Sequence, residues 1–426
     1  MHIALKFLTS VVVFSVLGIA CSGAPEEPAE MTEEELVAHA QGIHDRVLTL
    51  DTHDDIPFNF ATEEVDPGVR GNRKVDLVKM REGGLDVGFF IVYVGQTERT
   101  PENYEKAKQD AMTKFDAIHR MTKQMHPDKI ELAYTADDVL RIHESGKLVA
   151  CIGIENGYVI GKDLALLEKY HGLGARYITL AHGGHNDIAD SSTPRENLGD
   201  DGPEHDGVSA FGEEVIAEMN RLGIMVDVSH ISKAAMLDAV RLSKAPVIAS
   251  HSSTKAIADV ARNMDDEQLL ALKENGGVMQ TVALGGFVKK TPEEKSAAIM
   301  ALREKMGIQG FGGAALRELS EEKRAEYDAE QAKINEQWPS ANLQDFADHI
   351  DHAVNLIGIE HVGISSDFDG GGGIDGWNDA SETFNVTLEL ARRGYSEEDI
   401  KKLWGENLLR VWREVEKVAE SMKPQA

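Results

Sequence analysis

Histidines and carboxylates at the ends of short apolar runs are the residues of this chain best suited to chemistry. His53 and Asp55 follow the apolar run that starts at Val47, and two residues apart they can turn toward the same side beyond a strand end. Imidazole and carboxylate groups without thiolates suit zinc, with manganese or iron as alternatives. Five further residues hold the same position at the ends of later runs: Glu155, His182, His230, His251 and Asp367.

A pair of metal ions would explain why so many of these groups are present. Two metals need a bridging carboxylate, and Glu155 is the candidate because its strand is predicted to lie close to the first. Metals sharing a hydroxide activate water near neutral pH and polarise a carbonyl, so hydrolysis is the predicted reaction class. Asp367 can supply a proton to the leaving group. Arg262 can pair with a substrate carboxylate, although a surface ion pair is the usual role of a lone arginine.

Alternating strand and helix patterns must position these residues. Their number predicts a (β/α)8 TIM barrel, an α/β fold whose functional residues lie where strands end. An open doubly wound sheet is the alternative, but it predicts a glycine-rich turn after the first strand, which this sequence lacks. The predicted strands cover residues 47–53, 87–94, 148–154, 175–182, 224–230, 246–251, 277–283 and 361–367.

The domain organisation is predicted from composition along the chain. Residues 1–20 have the basic start and short apolar run of a signal peptide, and residues 21–36 are rich in Pro, Ala and Glu, as in a flexible tether. Residues 37–426 are predicted to form one barrel domain, with a helical insertion at about 291–358 before the last strand. Cys21 is the predicted lipidation site, and simple secretion is the alternative.

Charge and cysteine content narrow the partners and the compartment. The net charge of -29 argues against binding to nucleic acid or to an anionic membrane surface. Membrane association is therefore expected only through an N-terminal lipid anchor, on the periplasmic or outer side of the cell. Cys151, the other of the two cysteines, is predicted to be a buried thiol in a protein without disulfides. A homodimer is one option for the oligomeric state, which the sequence leaves open.

The motifs taken together resemble the membrane dipeptidase, or renal dipeptidase, family of the amidohydrolase superfamily, here as a bacterial lipoprotein-like member. The resemblance runs from about His53 to Arg410, and the joint order of its motifs makes it specific. The matching segments are residues 51–57, 154–157, 177–182, 227–230, 246–252, 262–263, 361–370 and 405–410.

The resemblance implies an exported dipeptidase with two zinc ions per subunit. Within it, His53 and Asp55 bind one zinc, His230 and His251 bind the other, and Glu155 bridges them. The same resemblance implies three roles toward a dipeptide substrate. His182 contacts the scissile carbonyl and the tetrahedral intermediate, Arg262 holds the C-terminal carboxylate, and Asp367 moves the proton from the attacking water to the leaving amine.

Two positions depart from the family pattern. Asp54 stands where the family usually has asparagine and is predicted to be a non-ligand between two ligands. His185 is an additional histidine after His182; we interpret it as a loop residue, with a substrate or extra-metal role as the alternative.

Two other functions remain as alternatives at this point. The chain can be another metal-dependent amidohydrolase, such as an amidase or lactonase, in which case Arg262 has no carboxylate to bind. It can also be a tethered lipoprotein that binds peptides or zinc without turnover, although such a protein would not need Asp367.

Overall fold

The computed structural model describes residues 31–308, 314–317 and 319–423. Its centre is a parallel sheet of strands in the order β1-β2-β4-β5-β6-β7-β8-β9. The strands are β1 Leu50–Asp55, β2 Val87–Tyr93, β3 Ile130–Leu132, β4 Leu148–Glu155, β5 Ala175–Thr179, β6 Met225–Asp227, β7 Ile248–Ser252, β8 Val278–Val282 and β9 Val362–Ser365.

The sheet curves until its two ends meet. Just beyond β9, Phe368 forms a parallel bridge with Asp54 of β1, and the Asp55 N–H donates to the Phe368 carbonyl at 2.9 Å. The eight strands thereby form a nearly closed parallel barrel, which confirms the predicted (β/α)8 fold.

Strand β3 was not predicted. It pairs with the first half of β4, from Leu148 to Ala150, whereas β5 pairs with the second half from Ile152 onward. A run of three residues is too short to show a strand pattern in the sequence. The strand is recognised only in the structure, where it pairs with the part of β4 that β5 leaves unpaired.

Helices follow the strands and surround the barrel. They are α1 Glu33–His44, α2 Leu77–Gly83, α3 Pro101–Arg120, α4 Ala136–Glu144, α5 Ala165–Gly172, α6 Ala210–Leu222, α7 Lys233–Leu242, α8 Asp266–Asn275, α9 Gly285–Val288, α10 Glu293–Lys305, α11 Ala314–Arg317, α12 Glu321–Gln337, α13 Leu343–Ile357, α14 Phe384–Arg392, α15 Glu397–Lys401 and α16 Asn407–Ser421. Within the described residues, no helix is both long and apolar enough to cross a membrane.

Helix α1 begins at Glu33, four residues before the predicted start of the barrel domain. Thr32 caps α1 in a reciprocal capping box with Glu35, so residues 33–36 of the predicted tether are helical. The predicted signal peptide at 1–20 and the predicted lipidation site Cys21 lie outside the described residues.

The barrel interior is filled from the side opposite the strand ends that carry the histidines. Trp412 of α16 belongs to the same buried cluster as Phe89, Cys151 and Tyr177, and the Phe89 and Trp412 rings lie 6.0 Å apart. Cys151 is buried, as predicted, and burial raises the pKa of its thiol. This packing leaves the carboxyl ends of the strands as the open end of the barrel.

The region predicted as an insertion contains two kinds of helix. Helix α13 is a barrel helix, with Phe346, His349 and Ile350 buried against the core. Helices α10 and α12 instead form a small separate apolar cluster around Leu302 and Tyr327. The additional structure before β9 therefore lies mainly in α10 to α12.

Candidate metal centre

The strand ends bring the predicted metal-ligating side chains together. His53 and Asp55 lie on β1, Glu155 is the last residue of β4, and His251 lies on β7. Strands β5 and β6 are shorter than predicted and end at Thr179 and Asp227, so His182 and His230 lie in the loops just beyond them. The barrel nevertheless directs Asp55, Glu155, His182, His230 and His251 to one cavity. His53 is fully buried, with its Nε2 3.6 Å from carboxylate oxygens of both Asp55 and Glu155.

Two of these residues adopt an uncommon backbone conformation. His230 has a φ of 69° and Asp367 a φ of 55°, in the left-handed region that residues other than glycine seldom occupy. Such strain costs of order 1–3 kcal/mol and is concentrated at functional sites. The chain bends sharply at both positions to place these two side chains in the cavity.

Glu155 faces a group of three histidines with one carboxylate oxygen, and the group of His53 and Asp55 with the other. Its Oε1 is 3.0 Å from His230 Nε2, 3.3 Å from His251 Nε2 and 3.5 Å from His182 Nε2. Its Oε2 is 3.6 Å from His53 Nε2, which in turn is 3.6 Å from Asp55 Oδ2. One carboxylate therefore faces both groups.

Three sets of side chains have ligand atoms close enough to hold an ion, with all their atoms within 4.8 Å of one another. The five predicted ligands all occur in these sets. His182 and Asp367, predicted to act on the substrate, also occur in them. The sets are His53, Glu155 and His251; Glu155, His182 and His230; and His53, Asp55 and Asp367.

Hydrogen bonds behind two of the histidines turn their Nε2 atoms toward Glu155. His53 Nδ1 lies 3.0 Å from the Tyr177 hydroxyl, which itself donates to the Thr52 carbonyl. Since that hydroxyl proton is used, His53 Nδ1 is the donor and its Nε2 keeps a free lone pair. His251 Nδ1 similarly donates to Ser250 Oγ, which donates to Asp227. Such supporting bonds are typical of metal-ligating histidines.

The orphaned atoms of this cluster fit a bound cation. His53 Nε2 is buried and has no hydrogen-bond partner among the described residues. Nε2 of His230 and Nε2 of His251 are 2.7 Å apart, which brings two lone pairs into close contact if both rings are neutral. Metal ions bound by the lone pairs of these nitrogens would give all three atoms a partner.

Burial and charge shift the pKa values of the candidate ligands in different directions. Burial lowers the pKa values of His230 and His251 well below the usual value, which favours the neutral, ligating form. Burial by itself would raise the pKa of Glu155, but the charges of His182 and His53 hold it well below its usual range. Burial opposes a charged His53, yet Glu155 and Asp55 raise its pKa well above normal.

The cavity above this cluster has a volume of about 560 Å³ and includes Arg262 and Asp367 in its wall. Arg262 is 7% exposed, donates from Nη2 to the His251 carbonyl at 3.0 Å, and stacks over Phe287. Burial lowers the pKa of its guanidinium to about 10, so it remains a cation at neutral pH. Its Nε has no partner within the described part of the chain.

The two departures from the family pattern occupy different environments. Asp54 is buried but turns away from the cluster toward Gly88, where an added Cβ would lie 2.7 Å from Asp54 Oδ2. His185 uses both ring nitrogens locally, since Nδ1 accepts from the Ser191 N–H and Nε2 donates to the Gly202 carbonyl, each at 2.9 Å. Neither residue belongs to a candidate ligand set.

Several residues that line the cavity were not predicted from the sequence. Tyr93 is the last residue of β2, so its place at a strand end was a usable signal. Lys114 and Arg195 also line the cavity, but one lies in the middle of α3 and the other in a long loop, where no sequence pattern marks them. The supporting residues Tyr177 and Asp227 lie in segments that match the family, 177–182 and 227–230, but their residue types do not indicate a supporting role.

The hydroxyl of Tyr177 provides a test of the supporting hydrogen bonds. Tyr177→Phe removes the acceptor for His53 Nδ1 while keeping the ring that packs on Phe89. We expect metal affinity or activity to fall roughly 10- to 100-fold, the usual effect of losing such a support. The measurement is metal retention during titration with a chelator.

Tyr170→Phe is the matched control, because the Tyr170 hydroxyl is buried and donates to the Val159 carbonyl away from the cavity. Equal metal retention in both variants would contradict the role of Tyr177.

The fold and the cluster define a class of protein: hydrolases built on a (β/α)8 barrel with a metal centre at the carboxyl ends of the strands. The sequence model of the membrane dipeptidase family, peptidase family M19, matches residues 37–426. The chain therefore belongs to this family, as its motifs predict, and is a metal-dependent dipeptidase.

Known relatives agree with this assignment. The chain is 33% identical to dipeptidase tcpJ of Claviceps purpurea over 82% of its own length and 71% of that protein. It is 35% identical to dipeptidase aclJ of Aspergillus oryzae, over 82% of this chain and 72% of that one. Among solved structures, the probable dipeptidase PvdM from Pseudomonas aeruginosa superposes with a TM-score of 0.79 at 34% identity, covering 91% of this chain and 100% of that one.

Proposed function

We propose that this protein is an exported binuclear zinc dipeptidase that hydrolyses dipeptides with a free C-terminal carboxylate. The observation that carries the proposal is the position of Glu155, whose two oxygens face different histidines: Oε1 lies 3.0 Å from His230 Nε2 and Oε2 lies 3.6 Å from His53 Nε2. A carboxylate in that position suits a bridge between two ions. Nitrogen and oxygen ligands without thiolates suit zinc.

In this proposal the ligands divide into two sets that share one residue. His53 and Asp55 hold the first ion, His230 and His251 hold the second, and Glu155 serves both. Bound zinc supplies the activation of the attacking water and the polarisation of the scissile carbonyl. The supporting bonds from Tyr177 and Ser250 hold His53 and His251 in the orientation this requires.

The remaining cavity residues position the dipeptide and move its proton. Arg262 binds the C-terminal carboxylate, for which a buried, only partly paired guanidinium is well suited. His182 contacts the scissile carbonyl oxygen from beside Glu155. Asp367 takes the proton of the attacking water and passes it to the leaving amine. Burial raises the pKa of Asp367 well above normal, and the charges of Asp55 and Glu155 add to this, which strengthens it as a proton acceptor.

Export is part of the proposal because of the N-terminal sequence. Residues 1–20 have the pattern of a signal peptide and Cys21 follows directly. We propose that Cys21 carries a lipid that anchors the enzyme outside the cytoplasm, with residues beyond it serving as the tether; release as a soluble secreted enzyme is the alternative.

Metal removal tests the proposed function. The purified protein is expected to contain about two zinc ions per chain if the centre is binuclear, to lose dipeptide hydrolysis when they are chelated, and to regain it on addition of zinc. Metal analysis and an assay on a panel of L,L and L,D dipeptides make the measurement, with C-terminally amidated dipeptides as the matched poor substrates. A protein that binds no metal and cleaves no dipeptide after zinc addition would refute the proposal.

A further inference from the structure

Lys114 is a buried cation on the wall of the active-site cavity. It lies on the inner face of α3 and is only 4% exposed, and it lines the same cavity as Asp55 and Glu155. Its Nζ lies 5.6 Å from the centre of the Tyr93 ring and 5.3 Å from that of Phe58. Two aromatic rings thus hold the ammonium in place.

The ammonium has no hydrogen bond or ion pair with any of the described residues at 31–308, 314–317 and 319–423. Burying a charge without a partner costs free energy. An unpaired ammonium at the wall of a cavity therefore indicates that the cavity binds an anionic ligand. Charge balance with Asp55 and Glu155 is the competing explanation. Both of those carboxylates are committed to metal ions in the proposed function, which leaves the lysine without them.

Lys114 and Arg262 lie on opposite sides of the barrel mouth. Tyr93 ends β2 and Lys114 follows in α3, whereas Arg262 follows β7. In the sheet order β1-β2-β4-β5-β6-β7-β8-β9, strands β2 and β7 hold the second and sixth places of eight, half a turn apart. A dipeptide whose C-terminal carboxylate is bound at Arg262 and whose peptide bond lies over Glu155 therefore directs its N-terminal residue toward Lys114.

We propose that Lys114 determines specificity by binding a carboxylate on the side chain of the N-terminal residue, so that the preferred dipeptides begin with an acidic residue. This inference rests on the proposed dipeptidase function, because it uses the substrate orientation set by Arg262. The chemistry is that of a positioned ammonium with a carboxylate in a site largely shielded from water. The amide of a glutamine side chain fills the same space without the charge.

The experiment compares Glu-Ala with Gln-Ala, two dipeptides that differ only in that charge. We expect the wild-type enzyme to favour Glu-Ala by about tenfold or more in kcat/KM, mainly through KM, since buried charge pairs contribute at this level. Lys114→Met should bring the ratio close to one. Lys106→Met, the same change at an exposed position two turns earlier on α3, should retain the wild-type ratio.

The outcomes separate this inference from the proposed function. Equal hydrolysis of Glu-Ala and Gln-Ala by the wild-type enzyme, or an unchanged ratio in Lys114→Met, overturns the role of Lys114 and leaves the dipeptidase intact. Calorimetric affinities of the metal-loaded enzyme for phosphinate analogues of the two dipeptides test the same preference without turnover. Selective binding of the glutamyl analogue without hydrolysis of any dipeptide would refute only the proposed function. Binding of neither analogue would refute both.

Discussion

Glu155→Gln is expected to reduce kcat/KM for dipeptide hydrolysis by roughly 1,000-fold or more, because two-metal activation of water depends on a charged bridge. The change keeps the size of the side chain but removes the charge that faces four histidines. It also removes the partner of buried His53, whose pKa the Glu155 charge raises. The loss should therefore appear in metal content as well as in rate.

The measurement combines kcat/KM on a dipeptide with zinc content after dialysis. Glu131→Gln is the matched control, since Glu131 pairs with Lys147 and Arg141 on the surface of the barrel, where such pairs contribute roughly 0–1 kcal/mol. The control should keep both its zinc and its rate. Glu155→Gln enzyme with a full metal complement and normal turnover would show that Glu155 is not a bridging ligand.

Arg262→Ala is expected to lower kcat/KM for dipeptides by roughly 100-fold, mainly by raising KM. Truncating one partner of a buried charged pair costs about 2–5 kcal/mol, and burial shields the Arg262 guanidinium from solvent. The substrate carboxylate would then be left in the cavity without its cation. Kinetics on a dipeptide and on its C-terminal amide make the measurement.

The amide separates binding of the carboxylate from damage to the metal centre. Because Arg262 also donates to the His251 carbonyl, its loss could disturb a ligand; in that case both substrates would slow equally and zinc content would fall. A selective loss on the free dipeptide supports carboxylate recognition. If Arg262→Ala left dipeptide hydrolysis unchanged, an amidase or lactonase with a substrate lacking the carboxylate would become the better interpretation.

The sequence by itself determined the barrel and the identity of the clustered residues. Strand and helix patterns alternate along the chain, and parallel strands joined by helices bring their carboxyl ends to one face. His53, Glu155 and His251 could therefore be assigned to one site without knowledge of their distances. The family motifs extended the prediction to Arg262, whose position after β7 would otherwise have been ambiguous.

Other features depend on contacts that no local pattern encodes. The sequence predicted β5 and β6 to extend to their histidines, whereas they end earlier, because pairing with neighbouring strands sets their length. Which nitrogen of His53 faces Glu155 depends on Tyr177, more than 100 residues away in the chain. The placement of His182 and Asp367 within ligand distance of the cluster also follows from loop conformation.

The position of Lys114, across the cavity from Arg262, depends on the tertiary structure alone. Lys114 lies within a long helix whose sequence pattern indicates only that one face is buried, and a lysine there resembles any solvated charge. Only the packing of α3 beside β2 buries its ammonium between Phe58 and Tyr93. Residue type and order were sufficient to predict that these histidines and carboxylates cluster, because strand ends converge in any such barrel. Burial of a single side chain depends on the particular neighbours that fold against it.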